Sequence, residues 1–177
     1  GEFMNKLAKL MLAAGLVLSL GACSSSESKT ATADDKTAET AKTFEASAGE
    51  LKTALKNEGY TLADETEESK KISFTAQNDT GTIVVTLVKQ ADAAAASQAY
   101  NDNMATDQDE QFFSLENNTA KTEDGGLVEM TVLNNTMNEL YAIEAVNSES
   151  LTTYSITGID QANLDSVKSA MDQAGFG

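Results

Sequence analysis

Apolar residues recur with helical spacing in three stretches of the chain. Each stretch repeats an apolar residue every three or four positions, which places those residues on one face of a helix. The three stripes are Phe44, Ala48, Leu51 and Leu55; Ala93, Ala96, Tyr100 and Met104; and Leu164, Val167, Met171 and Ala174. Asp92 and Asp160 precede the second and third stretches as N-caps, and Gly59 and Gly175 end the first and third. The pattern therefore predicts three amphipathic helices.

Between the helices, apolar and polar residues alternate as they do in half-buried strands. The segments with this pattern are 72–76, 82–89, 127–133, 139–147 and 151–157. Residues near Tyr60 give a doubtful extra strand, and 105–124 has the composition of an irregular polar stretch. The hairpin turn at 78–81 (NDTG) favours antiparallel pairing. We predict an α+β domain in the order α-β-β-α-β-β-β-α, with an antiparallel sheet of about five strands and the helices on one face.

The N-terminal region has the pattern of an export signal. Its first three residues, 1–3, are interpreted as a remnant of cloning. Lys6 and Lys9 then precede an uncharged apolar stretch. The 13 residues 10–22 span roughly 20 Å as a helix, which is less than the ~30 Å core of a bilayer. A transmembrane anchor is therefore the weaker interpretation, and we predict a signal peptide at 4–22.

Residues 20–23 (LGAC) resemble the bacterial lipobox, in which an apolar and two small residues precede a cysteine. The resemblance implies cleavage between Ala22 and Cys23 and acylation of Cys23 by lipid such as palmitate. Two acyl chains hold a protein on a membrane where one would not. A non-lipidated signal with a stray cysteine is the alternative. Residues 23–43 have the composition of a disordered tether after the lipidated cysteine, which leaves 44–177 as a single α+β domain.

Composition and charge exclude several classes of function. The chain has 28 Asp and Glu against 12 Lys and Arg, a net charge of −16, and it contains neither His, Pro nor Trp. Without His there is no imidazole base, and one cysteine allows neither an intrachain disulfide nor a cysteine metal cluster. The negative charge opposes nucleic-acid binding. Residues 92–177 hold 15 acidic residues and two lysines, which favours either a solubilising surface or attraction for a cation or a basic protein.

Candidate metal chemistry is confined to one acidic cluster. Asp107, Asp109 and Glu110 are close in sequence and offer the oxygen ligands that Ca²⁺ takes. The spacing is not that of an EF-hand, because Phe112 stands where the loop needs glycine. A solvated acidic loop is the preferred interpretation, with calcium binding as the alternative. The sequence predicts no cofactor and no catalytic residue.

The order of elements resembles that of small, uncharacterised lipoproteins of Gram-positive bacteria. The matching features are the helix that begins at Phe44 and ends at Gly59-Tyr60, the Leu62-Ala63-Asp64 segment, an alanine-rich helix after the hairpin, and a closing helix that ends in Gly-Phe. The resemblance implies a location on the extracellular face of the cell membrane. In a Gram-negative cell the implied location is the outer membrane.

These observations predict a lipid-anchored extracytoplasmic module that binds a partner or belongs to the envelope, and that is not an enzyme. The membrane, reached through the lipid on Cys23, and a basic protein or a cation are its expected partners. The alternative is a small extracytoplasmic hydrolase that uses carboxylates alone. A pocket with two close carboxyl groups, one of them with a raised pKa, would favour that alternative.

Overall fold

The computed structural model describes residues 42–121 and 126–177. The predicted cloning remnant, the signal peptide, the lipidated Cys23 and the tether up to residue 41 lie outside the described residues. The helices of the described part are α1 (Phe44–Asn57), α2 (Ala93–Asp109) and α3 (Gln161–Met171), with a π-helical turn at Asp172–Phe176. Its strands are β1 (Thr61–Glu68), β2 (Lys71–Asn78), β3 (Gly81–Lys89), β4 (Phe112–Lys121), β5 (Leu127–Asn135), β6 (Leu140–Asn147) and β7 (Thr152–Ile159). In this part of the chain, each helix is too short or too polar to span a bilayer.

All seven strands belong to one antiparallel sheet, in the order β1-β2-β3-β7-β6-β5-β4. Hairpins join β1, β2 and β3, and a second set of hairpins joins β5, β6 and β7, with β4 paired antiparallel to β5. The pairing of β3 with β7 unites the two sets in one sheet. The predicted α+β class with an antiparallel sheet is confirmed. The predicted number of strands and the order α-β-β-α-β-β-β-α are wrong, since the order is α-β-β-β-α-β-β-β-β-α.

The two strands that sequence patterning did not count are the two edges of the sheet, β1 and β4. Residues 63–68 of β1 and 113–120 of β4 are exposed throughout. A strand whose two faces both meet solvent has no need of alternating apolar residues, so the period-2 pattern is absent. The doubtful strand near Tyr60 is β1, and most of the stretch expected to be irregular is β4.

Helices α1 and α3 cover one face of the sheet and form the main core with it. Leu51 and Leu55 of α1 and Val167 of α3 are buried there against Val85 and Ile156 of the central strands. The predicted stripes of α1 and α3 are all buried. Their N-caps are also present: Thr43 accepts from the Ala46 N–H at 3.1 Å, and Asp160 from the Asn163 N–H at 2.9 Å. The amphipathic pattern is therefore sufficient to place these two helices.

Helix α2 packs on the opposite face, so the prediction that the helices share one face is wrong. Its Ala96 and Tyr100 are buried against Val146 of β6. Val146 and Ile143 point to opposite faces because successive residues of a strand alternate, and Ile143 belongs to the main core. With both of its faces covered, β6 is buried from Ala142 to Asn147. The strand therefore has no exposed side that would reveal which helices cover it.

A buried amide fastens the β2–β3 hairpin to α3. The Asn163 side-chain oxygen accepts three hydrogen bonds, from the Tyr60 hydroxyl at 3.0 Å, the Asn78 amide at 2.7 Å and the Thr80 hydroxyl at 2.9 Å. The Asn78 oxygen in turn accepts from the Thr80 N–H at 2.9 Å, which closes the turn. The predicted hairpin at 78–81 is confirmed, and its Asn78 and Thr80 side chains attach it to α3.

Candidate functional site

A row of polar side chains crosses the sheet on the face that α2 covers. The strand registers align its members as neighbours, which are Ser73, Thr86, Ser155, Glu144, Thr131 and Asn117. Hydrogen bonds connect them: Ser155 Oγ donates to Glu144 Oε1 at 2.7 Å, and the Asn117 amide donates to Thr131 Oγ1 at 2.7 Å. The Tyr100 hydroxyl of α2 lies 2.6 Å from Thr131 Oγ1. The helix is therefore attached to this row by polar as well as apolar contacts.

A recess opens between the C-terminal half of α2 and this row, with a cavity volume of about 270 Å³. Its hydroxyl groups come from Thr86, Thr106, Thr153 and Ser155. One amide, from Asn103, and two carboxyl groups, from Asp107 and Glu144, complete the polar lining beside the methyl groups of Val88. Among the described residues, no lysine lines the recess. It is therefore a polar site that can hold cationic or neutral groups and that disfavours anions.

Glu144 is the most deeply buried ionisable residue of the site, with 1% of its surface exposed. Its two oxygens accept hydrogen bonds from Ser155 at 2.7 Å and from the Asn103 amide at 3.2 Å. Burial in a low-dielectric environment is the largest cause that raises the pKa of Glu144 to about 9, and the neighbouring Asp107 raises it further. The Glu144 carboxyl is therefore neutral at pH 7.

Asp107 reaches the same recess from the last turn of α2. It is 8% exposed, and its Oδ2 has no hydrogen-bond partner among the described residues. Burial raises the pKa of Asp107, while a hydrogen bond with Glu144 lowers it. The same bond raises the pKa of Glu144, which makes Glu144 the protonated partner. The two carboxyl groups are thus coupled, and Glu144 is the partner that keeps its proton more strongly.

The three acidic residues singled out from the sequence do not point to one place. Asp107 is directed to the recess, whereas Asp109 and Glu110 are exposed at the end of α2 and just beyond it. Within 42–121 and 126–177, no three Asp, Glu, His or Cys side chains are arranged to hold a metal ion. The neighbour of Asp107 is instead Glu144, a residue 37 positions further along the chain. Calcium binding by the predicted cluster stays a prediction.

Sequence reasoning missed Glu144, Asn103 and Ser155, although one signal for Asn103 and Asp107 was present. From Ala96, the stripe continues at i+4, i+7 and i+11 through Tyr100, Asn103 and Asp107. An amide and a carboxyl on the buried face of a helix indicate a polar surface opposite. Glu144 carries no comparable signal, because a single glutamate within an apolar strand is ordinarily placed in solvent.

Comparison with known proteins does not assign the chain to a family. The chain matches no protein-family model, no curated protein and no solved structure.

Proposed function

We propose that the chain is a lipid-anchored extracytoplasmic protein that acts by binding a small ligand in the recess beside Glu144 and Asp107. The anchoring part of the proposal is supported by the lipobox-like residues 20–23 behind a signal-like segment. The binding part is supported by the recess itself. A concave site with a few convergent polar groups is the usual form of a small-molecule site.

The observation that favours binding over catalysis is the confinement of Glu144. A general acid or base must reach the proton that it transfers. Glu144 is 1% exposed, and the Ser155 hydroxyl and the Asn103 amide already occupy its two oxygens. A neutral, immobilised carboxyl of this kind shapes a site and donates its one proton to Asp107. It is poorly placed to exchange that proton with a substrate.

The anchoring is tested on protein isolated from its native host. Intact-mass spectrometry is expected to find a chain that begins at Cys23 and carries the mass of acyl groups. A Cys23→Ser variant is expected to retain its leader and to lack the lipid mass. An unmodified Cys23 thiol or an intact leader on the wild-type protein would contradict the proposed anchoring.

Ligand binding is tested by native mass spectrometry of the full lipoprotein released from detergent micelles. A small molecule is expected to remain on the wild-type protein and on Asp109→Asn, and to be absent from Asp107→Asn. The two substitutions remove the same charge two residues apart, but only Asp107 lines the recess. Equal retention on all three proteins, or none on any, would contradict a ligand site in the recess.

A hydrolase that uses carboxylates alone is the second candidate function, and the Asp107–Glu144 pair is the observation that favours it. Two carboxyl groups that share one proton can activate water when both reach the substrate. Turnover of envelope peptides or glycans by the wild-type protein, lost in both Glu144→Gln and Asp107→Asn but kept in Asp109→Asn, would support this candidate. The same result would overturn the proposal that the protein is not an enzyme.

A further inference from the structure

We propose that the edge strand β4 binds an extended, basic peptide segment of another protein, which pairs with β4 and places a large apolar side chain in the groove between β4 and α2. This groove is lined by Asn101, Met104, Ala105, Gln108, Phe112, Phe113, Ser114 and Leu133. The inference is carried by the open edge of β4, by the groove beside it and by the charge of α2. None of these lining residues also lines the recess beside Glu144, so the inference is independent of the proposed ligand site.

Strand β4 has a strand partner on one side only. It pairs with β5 and is the last strand of the sheet, so alternate residues direct N–H and C=O groups away from β5, where no described strand receives them. An extended peptide satisfies such a row of groups by adding a strand to the edge. The strand is 10 residues long. Its Phe113 and Leu115 are 49% and 53% exposed, which is typical of a surface that binds another protein.

The opposite edge of the sheet is protected by charge, whereas β4 is not. Four of the eight residues of β1 are acidic, namely Asp64, Glu65, Glu67 and Glu68. Residues 112–120 of β4 contain one acid, Glu116, and Lys168 already pairs with it at 2.6 Å. Both edge strands have an irregular register, so charge is the feature that distinguishes them. Since charged side chains on an edge oppose strand addition, β4 is the edge that can accept a strand.

The groove beside β4 offers a place for one side chain of the added strand. Met104 and Ala105 form its helix side, and Phe112 and Leu133 form its strand side. Its cavity volume is about 260 Å³, or roughly nine times the ~30 Å³ that one water occupies, which is enough for one large apolar side chain. Alternate side chains of an added strand point to the same face of the sheet, so one of them can enter the groove.

The charge around the groove favours a basic peptide over a second copy of this chain. Helix α2 contains no lysine or arginine, while Asp102, Asp109 and the C-cap residue Glu110 are exposed. The C-terminal end of the helix adds the negative end of its dipole. Lysine or arginine side chains on either side of the apolar residue of the peptide are attracted by this charge. Two copies of a chain with a net charge of −16 repel each other instead.

Fluorescence anisotropy tests the proposal on the full chain in non-ionic detergent micelles at low ionic strength. The probe is a labelled, end-capped peptide of alternating lysine and threonine with phenylalanine at its centre. One control peptide has glutamate in place of every lysine, and the other is N-methylated throughout its backbone. We expect saturable binding of the basic peptide and no binding of the acidic one. The N-methylated peptide should bind at least tenfold more weakly, because it lacks the main-chain donors that strand pairing needs.

Two lysine substitutions on α2 separate the groove from the overall charge. Ala105→Lys places a cation in the groove, and Ala94→Lys makes the same change at an exposed position roughly 16 Å away along the same helix. We expect Ala105→Lys to weaken peptide binding at least tenfold and Ala94→Lys to stay within about threefold of wild type. Both sites are exposed, and circular dichroism checks that both variants are folded. Hydrogen exchange of the wild-type complex should show new protection at 112–120 and none in β1.

Five results would overturn the proposal. A folded wild-type protein that does not bind the basic peptide, or equal weakening by the two lysine variants, would exclude the groove. Equal binding of the N-methylated peptide, or unchanged hydrogen exchange at 112–120, would exclude strand addition. Self-association of the wild-type protein that Ala105→Lys abolishes would assign the edge to a second copy of the chain.

Discussion

Ser155 and Glu144 are neighbours across β7 and β6, and the serine hydroxyl donates a 2.7 Å hydrogen bond to the glutamate Oε1. This bond lies in the middle of a sheet, beneath a helix, in a place where apolar side chains usually pack. It fixes the orientation of a carboxyl that is neutral at pH 7. The first three predictions depend on that buried polar row and on the helix that covers it.

The first prediction concerns the pH dependence of stability. Glu144 ionises near pH 4.5 in the unfolded chain and near pH 9 in the folded protein. Between these values the unfolded state binds fewer protons than the folded state. The stabilisation that Glu144 provides is therefore complete below about pH 4.5 and is lost as the pH rises toward 9. The free energy of unfolding should fall by up to ~1.4 kcal/mol per pH unit from this group. Glu144→Gln, which cannot ionise, should lose that slope in urea titrations between pH 5 and pH 9.

The raised pKa of Asp107 adds a slope of the same sign, and because the two carboxyl groups are coupled, the difference between the two proteins includes the change that Glu144→Gln causes in the pKa of Asp107. The Tyr100 hydroxyl on α2, whose pKa burial raises above 10.0, does not titrate in this range. Identical pH slopes for wild type and Glu144→Gln would show that Glu144 is ionised in the folded protein at neutral pH.

The second prediction concerns the coupling between the two carboxyl groups. Asp107→Asn removes the charge and the carboxylate acceptor that raise the pKa of Glu144. The pKa of Glu144 should therefore fall below about 9 while staying above its ordinary value, because burial is the larger cause and remains. Carbon-13 NMR of the glutamate side-chain carboxyl groups measures this midpoint directly. The control is Asp109→Asn, and a midpoint that moves equally in both variants would contradict direct contact.

The third prediction concerns the attachment of α2. Tyr100→Phe removes a hydroxyl that lies 2.6 Å from Thr131 Oγ1 while keeping the buried ring. The loss should reduce the free energy of unfolding by about 1 kcal/mol, and hydrogen exchange should become faster in α2 than in α1. Tyr141→Phe, which removes a hydroxyl bonded to Gln161 at an exposed position, should have a smaller effect. An equal loss in the two variants would argue against a special role for the Tyr100 contact.

The fourth prediction concerns the amide that joins the β2–β3 hairpin to α3. Asn163→Ala leaves the Tyr60 hydroxyl, the Asn78 amide and the Thr80 hydroxyl without their shared acceptor. We expect a loss of about 2 kcal/mol or more in the free energy of unfolding. Asp165→Ala on the exposed side of the same helix is the control, expected within ~0.5 kcal/mol of wild type. Urea denaturation at one pH compares the three proteins.

The parts of the fold that follow from the sequence are those where burial is one-sided. The alternation of Ile72, Phe74 and Ala76 with polar neighbours correctly predicts β2, and the stripes through Leu51 and Val167 correctly predict α1 and α3. The N-cap role predicted for Asp92 is also confirmed, since its side chain accepts from the Ala95 N–H at 2.7 Å. In each case a local rule and the tertiary environment agree.

The parts that could not be predicted are those where burial is two-sided or absent. Strand β6 is buried on both faces, so its sequence does not indicate that α2 lies opposite α1 and α3. Phe113 is 49% exposed on the edge strand β4 and gives no alternating pattern with its polar neighbours. The candidate site depends on pairing between strands distant in the chain, because sheet register alone makes Ser155 the neighbour of Glu144 on one side and of Thr86 on the other. No local pattern encodes that register.

The pairing of β3 with β7 has a consequence for how the molecule forms. Val84 of β3 is paired in register with Thr157 of β7, a strand that comes much later in the chain. A polypeptide that emerges N-terminus first, from the ribosome or from an export channel, presents the open side of β3 until the final strand follows. The β1–β2–β3 unit therefore forms before its partner strand β7 is present. Pairing β3 with β7 closes the long stretch of chain between them, and this slow step should limit the rate of folding.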